Sequence, residues 1–139
     1  MGIHTATLSL QTRGNAQMID ITREVAEAVR ESGFDGGIAT VFAPGSTCGV
    51  TTIEYEDGAL SDLRRLFDEI IPPDRHYAHN ARWGDGNGHS HVRSALLGPS
   101  LTVPFTGRSL LLGTWQQIIF VDFDNRARSR RVIVQVMGE

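Results

Sequence analysis

The stretch WQQIIFVDFDNRARSRRVIVQVM, residues 115–137, decides the fold class, because it holds two apolar β-rich runs parted by a polar turn. Trp115 to Phe123 and Arg131 to Met137 read as two long strands around Asp124 to Ser129, with no helical periodicity in either. Working back from them, Leu101 to Phe105 is another strand, leading into a turn at Gly107. Val92, Ala95 and Leu96 fit a short helix stopped by Gly98-Pro99.

The N-terminal half repeats a simpler rhythm. His4 to Gln11 alternates polar and apolar residues with a period of two, and Gly14-Asn15 marks a turn before a short strand at Gln17 to Ile21. That pattern predicts a hairpin. Thr22, with an acidic neighbour, is placed to cap a helix of about three turns carrying Val25, Ala28 and Val29, which Gly33 ends. Gly37 to Phe42 and Gly49 to Tyr55 read as strands joined by a short loop. Leu60, Leu63, Leu66, Phe67, Ile70 and Ile71 mark one face of a second helix that stops at Pro72-Pro73. From Asp74 to Gly88 periodicity vanishes, which predicts an ordered, functional loop. Residues 1–139 therefore read as a single compact α+β domain. Its sheet is mixed or largely antiparallel and packs with two to three helices.

Composition removes whole classes of function. The chain has 139 residues and a formal net charge of -3, which gives no basic field for nucleic acid. No apolar run approaches the ~20 residues that span a bilayer, and residues 1–11 lack the features of an export leader, so a cytoplasmic protein is expected. Cys48 is the only cysteine. A disulfide and any multi-thiolate zinc site are excluded, and a metal ion would rest on His, Asp or Glu. All 13 basic residues are Arg. With no lysine there is no Schiff base and no phosphate-loop lysine, so acid/base work falls to His, Asp, Glu or Tyr. No motif for an organic cofactor is present.

The strongest chemical signal is the cluster His76, His79, His89 and His91, interleaved with Asp85 and Asn87. Imidazoles titrate near neutral pH and are common metal ligands, so the cluster points to a metal site or to general acid/base catalysis. His89 and His91 share a face on an extended chain but lie about 200° apart on a helix, from the ~100° step per residue. Both would reach one ion only if the helix starts late. Glu54 and Glu56 flank Tyr55 at a strand end, where a carboxylate serves as a base or as a solvated edge charge. Ser46, Thr47 and Cys48 follow Pro44-Gly45 in a turn whose N–H groups and hydroxyls suit an anion. Cys48 itself reads as a small packing residue. Arg126, Arg128, Arg130 and Arg131 beside Asp122 and Asp124 read as a salt-bridged turn. Trp115 and Gln116 read as a tight turn entering a strand, with the indole buried.

Several separated words carry a resemblance: Ser46-Thr47 followed by Thr51-Thr52-Ile53-Glu54, Tyr77-x-His79, Asp85-x-Asn87-x-x-x-His91, Leu97-Gly98, Val103-Pro104-Phe105, Leu112-Gly113-Thr114-Trp115-Gln116 and Gln135-Val136-Met137-Gly138-Glu139. Together they resemble the YjbQ-like family, often labelled secondary thiamine-phosphate synthase. The resemblance implies a homotrimer with a histidine-bearing cleft at the subunit boundary, sometimes holding a divalent metal such as zinc or magnesium. It also implies condensation of a pyrimidine diphosphate with a thiazole phosphate, with loss of diphosphate. Carried over by position, the family's words fall on Glu54, on Tyr77 and His79, on Asn87 and His91, and on Trp115 and Gln116.

Many members have a histidine where this chain has Gly45, and His89 is the residue that would replace it. The expected site thus comprises Glu54, His79, Asp85, Asn87 and His91 for catalysis, with His79, His89 and His91 as metal ligands. Ser46, Thr47, Arg93, Trp115 and Gln116 would hold a phosphorylated small molecule. A metal-dependent hydrolase and a non-catalytic trimeric metabolite-binding protein use the same residue types and are the alternatives.

Overall fold

The computed structural model describes residues 1–139 as strands β1 (Gly2–Thr12), β2 (Gln17–Asp20), β3 (Gly36–Phe42), β4 (Cys48–Ile53), β5 (Ser100–Thr106), β6 (Ser109–Leu110), β7 (Gln117–Asp122) and β8 (Arg128–Gly138). Helices α1 (Thr22–Ser32), α2 (Asp57–Ile70), α3 (Ala78–Trp83) and α4 (Gly88–Leu97) complete the chain. The strands form two antiparallel sheets, a five-stranded one in the order β1-β8-β3-β5-β6 and a three-stranded one in the order β2-β7-β4.

The larger core lies between the sheets, where α1 supplies Val25, Ala28 and Val29 and the strands supply Val41, Val50, Ile118, Phe120, Val132 and Val134. The smaller core lies on the far face of the three-stranded sheet, where Ile119, Val121 and Phe123 meet Phe67 and Ile71 from the α2 segment. Strand β7 is thus buried on both faces. A period of two would expose one face, and a strand covered on both sides reads instead as the continuous run Ile118 to Val121.

The α+β class holds, and the pairings differ from the sequence reading. β1 and β2 do not form a hairpin: β1 pairs along its whole length with β8, and β2 pairs with β7 in the other sheet. The Gly14-Asn15 turn hands the chain from one sheet to the other. β3 and β4 likewise belong to different sheets. There are four helices, because α3 forms inside the segment read as a loop. It is only six residues long and buries no residue fully, so it leaves no periodic apolar signature.

Two glycines seat α4, the helix that carries the central histidines. A Cβ on Gly88 would come within 2.5 Å of the Tyr77 Cβ, and one on Gly49 within 2.7 Å of the Gly98 carbonyl oxygen. Only glycine lets the helix start against residues 77–80 and end against β4. The buried Ser94 hydroxyl donates to the Cys48 carbonyl at 2.6 Å, fixing the helix along the start of β4.

Candidate functional site

α4 begins at Gly88, which settles the division between its two histidines. His91 faces a cavity of about 310 Å³ lined by Gly45, Ser46, Ser94, Ala95 and Pro99. His79, at the start of α3, lies against it with ring centroids 4.3 Å apart. The His79 Nδ1 is 3.4 Å from Asp85 Oδ1, at ion-pair range but outside hydrogen-bond geometry. A pair of imidazoles beside a serine hydroxyl, with a carboxylate against one of them, is suited to accepting and donating protons.

His89 stands apart, which corrects its expected grouping with His79 and His91. Only 5% exposed, it packs 6.2 Å from the Tyr77 ring on the inward side of the helix. Burial and the nearby Arg93 charge push its pKa down, so it is held neutral. The early helix start is the physical reason. One protomer contains no group of three or more His, Cys, Asp or Glu side chains arranged to hold a metal ion. His79 and His91 are two nitrogen donors, one short of the three protein ligands usual at catalytic zinc.

Other expected ligand-holding residues have different employment. Arg93 is 3% exposed; its Nε donates to the Ile71 carbonyl at 3.0 Å and its guanidinium pairs with Asp68 at 3.0 Å. It ties α4 to α2 and has no free donor face for a phosphate. Thr47 is buried, donating to Asp124 at 3.2 Å and accepting from Arg130 at 2.7 Å. Asn87 is buried too, and its amide donates to Asp124 at 3.2 Å. Of the turn after Pro44, Ser46 alone has an exposed side chain at the cavity.

Beneath these residues lies an ionic network of Asp122, Asp124, Arg128 and Arg130. Arg130 grips Asp122 with two hydrogen bonds of 2.8 and 2.9 Å, and Arg128 reaches Asp124 at 2.7 Å. Burial pushes the Asp124 carboxyl up. Hydrogen bonds from the Asn125 amide, Asn87 and Arg128, with the Arg128 charge, outweigh it and hold the group at about 2. Burial likewise pushes the Cys48 thiol up, against the opposing Arg130 charge, so Cys48 is not an activated nucleophile. Of the salt-bridged turn expected from the sequence, Arg128 and Arg130 make the ion pairs and Arg126 and Arg131 make none.

Glu54 and Trp115 lie elsewhere. They border a cleft of about 700 Å³ with Asp20, Tyr55, Asp57 and Gln117, at the end of β4 remote from Cys48. The two ends of the six-residue strand are five steps apart, about 17 Å at the usual rise. Trp115, expected to be buried, is 73% exposed. Gln116 props the turn before β7, its side chain accepting from the Gly113 amide at 3.0 Å and donating to Thr52 at 3.2 Å. Tyr55 went unnoticed except as a spacer between two glutamates; its hydroxyl donates to the Met18 carbonyl at 2.9 Å and so forms a wall of this cleft. The residues closing the His91 cavity, Ser94, Ala95 and Pro99, were also missed, since small side chains carry no chemical signal.

The fold and site define a small two-sheet α+β domain with a closely packed, tilted imidazole pair at one end of its shorter sheet. The chain belongs to the UPF0047 protein YjbQ-like family, whose model matches residues 6–139. A UPF0047 protein of Methanothermobacter thermautotrophicus is 40% identical over 139 residues, covering 100% of this chain and 95% of the relative. The UPF0047 protein YugU of Bacillus subtilis is 37% identical over 137 residues, covering 95% of this chain and 98% of its own length. The crystal structure of a YbjQ-like protein of unknown function from Sulfolobus solfataricus P2 superposes with a TM-score of 0.89 at 28% identity, covering 99% of this chain and 100% of that one.

Proposed function

We propose that this chain is an enzyme acting on a phosphorylated small molecule, with His79 and His91 as its proton-transfer pair. The observation that carries the reading is the close, tilted packing of these rings, centroids 4.3 Å apart, beside the Ser46 cavity, with Asp85 set against one of them. Arg93, Arg128 and Arg130 are already bonded to carboxylates, and lysine is absent. These three arginines offer no free positive charge, and in this reading a protonated imidazole or a divalent cation neutralises the departing phosphate or diphosphate. In this reading Ser46 donates a hydrogen bond to a phosphate oxygen, and Asp85 steadies the His79 ring while one imidazole protonates the leaving group.

Condensation of a pyrimidine diphosphate with a thiazole phosphate, the activity the family resemblance implies, is the first reaction to assay. A divalent ion, zinc or magnesium, belongs to the proposal as a group that would shield the diphosphate. With such an ion bound, His79 and His91 would serve as its protein ligands instead of as the proton-transfer pair, and the remaining positions would be filled from outside this protomer, as magnesium commonly uses substrate phosphates.

Homotrimeric assembly is the other part of the proposal. A cleft at a subunit boundary would bring the Glu54 and Trp115 end of one copy to the His79 and His91 end of the next. Val92 and Leu96 support this, being large apolar side chains exposed on α4 beside His91. The test is diphosphate release from the two substrates by native-purified protein, with and without added zinc or magnesium, alongside His79→Ala and His91→Ala. Release lost in both variants is the expected result. Metal-saturated protein that neither binds nor converts either substrate would sink the reading.

A further inference from the structure

The cavity beside His91 is walled by two separate elements, the 44–47 turn and α4, and both are tethered to the same buried carboxylate. Asp124 Oδ2 accepts from Thr47, the residue after Ser46, at 3.2 Å. Asp124 Oδ1 accepts at 3.2 Å from Asn87, the residue on which α4 starts. The carboxylate is 1% exposed and is itself pinned by Arg128 at 2.7 Å and, more distantly, by Arg130 at 3.7 Å. Asn87 has no role as a helix cap through its side chain, because its amide is turned to Asp124 instead.

An ion network of this kind is an expensive way to close a turn. Two aspartates are removed from water although replacing buried ion pairs by apolar residues of similar volume is often neutral or stabilising. What the network supplies is geometry: Thr47 and Asn87 are 40 residues apart in sequence, and one carboxylate fixes both. Shifts of an ångström or less at a catalytic pair matter because proton transfer needs partners within hydrogen-bond reach.

We propose that Asp124 is a positioning residue, which sets the Ser46 turn and the His91 helix at a fixed separation across the cavity. It touches no ligand and acts through Thr47 and Asn87. The proposal rests on the reading of that cavity as the functional site. A control exists within the same network: Thr12, also buried, donates to Asp122, lies 3.2 Å from the Arg128 carbonyl and makes no hydrogen bond to either wall.

The experiment compares Asp124→Asn with Thr12→Val in the full chain by NMR, following the amide signals of Ser46 and His91 and the His91 imidazole, without and with inorganic phosphate. Asp124→Ala is the more severe variant for the same comparison. Both principal variants lose thermal stability, so stability alone does not separate the roles. The expected result is that Asp124→Asn, still folded, shifts the Ser46 and His91 amides together and weakens the phosphate response about tenfold, a typical loss for a residue supporting a ligand from behind. Thr12→Val keeps wild-type signals and response at the cavity. Wild-type amide positions and phosphate response in folded Asp124→Asn would overturn the proposal. If the wild-type protein itself gives no phosphate response, the functional reading fails, and the paired amide shifts alone decide the role of Asp124.

Discussion

The two ends of the β4 and β7 strands are built on opposite terms. At Cys48 and Asp122 the chain is closed: two buried aspartates are held by Arg128, Arg130, Thr47 and Asn87, and the histidine pair lies nearby. At Ile53 and Gln117 it is open, with Trp115, Tyr55 and the four carboxylates of Asp20, Glu54, Glu56 and Asp57 around a broad cleft and no ion pair among them. A side chain held by buried partners stays put in the single chain. An exposed one acquires a fixed geometry only from a ligand or a second copy. The end whose side chains are held by partners of the same chain is therefore the histidine end.

The sharpest way to break this contrast is to remove the carboxylate at the centre of the closed end. Asp124→Ala takes the carboxylate from Arg128 and the acceptor from Thr47 and Asn87 while Arg130 keeps Asp122, and should cost about 3 kcal/mol, the low end of the usual loss when one partner of a buried pair is deleted because Arg128 is partly exposed. Urea denaturation measures it. A loss below about 1 kcal/mol would mean that water already reaches the network, and that the two ends differ less than their burial implies.

How much of this contrast the sequence carried depends on range. Helices α1 and α2 follow from periodicity, and every strand but the two-residue β6 follows from alternation or an apolar β-rich run, because these signals are local. Which sheet each strand joins is not local. The Gly14-Asn15 turn looks the same whether it folds a strand back on itself or passes it to a second sheet, and only the pairing of β1 with β8, at the other end of the chain, decides. In the site, His79 and His91 were legible as members of a cluster, whereas His89 was misplaced because its side of the helix turned on one residue of helix start. Arg93 misled for a related reason: a lone arginine beside histidines resembles a phosphate clamp until Asp68 and the Ile71 carbonyl are seen to occupy it. The Asp122, Asp124, Arg128 and Arg130 group was readable as a salt-bridged turn. Its link to the site runs through Thr47 and Asn87, which is invisible without the fold.

Acid separates the ends by a smaller amount. Asp124 sits at about 2 in the folded chain against 3.8 for an ordinary Asp, so the folded state favours the carboxylate. Its contribution is present above pH ~4 and is lost as pH falls through about 2, worth about 2 kcal/mol in all. His89 acts in a higher window. Its folded pKa lies below 6.5, so unfolding takes up a proton as pH drops through that value, and stability declines from there downward. Melting temperature followed from pH 7 to pH 2 should fall in two stages. His89→Gln should abolish the upper stage and leave the lower, and a single-stage curve in the parent protein would remove His89 from the account.

The smallest effect belongs to the open end, and it is the one that sharpens the comparison most. Trp115 is large, and in the isolated chain it is mostly in water, so Trp115→Ala should change the unfolding free energy by no more than about 0.5 kcal/mol. That expectation holds for the monomer alone. If a neighbouring copy covers the cleft, the indole is buried in the assembly and its loss weakens association, so the cost grows with protein concentration. Denaturation of parent and variant at two concentrations distinguishes these cases. A small, concentration-independent difference leaves the cleft open to solvent. A difference above about 1 kcal/mol that depends on concentration makes the open end an interface, completed by another protomer as the closed end is held by its own arginines.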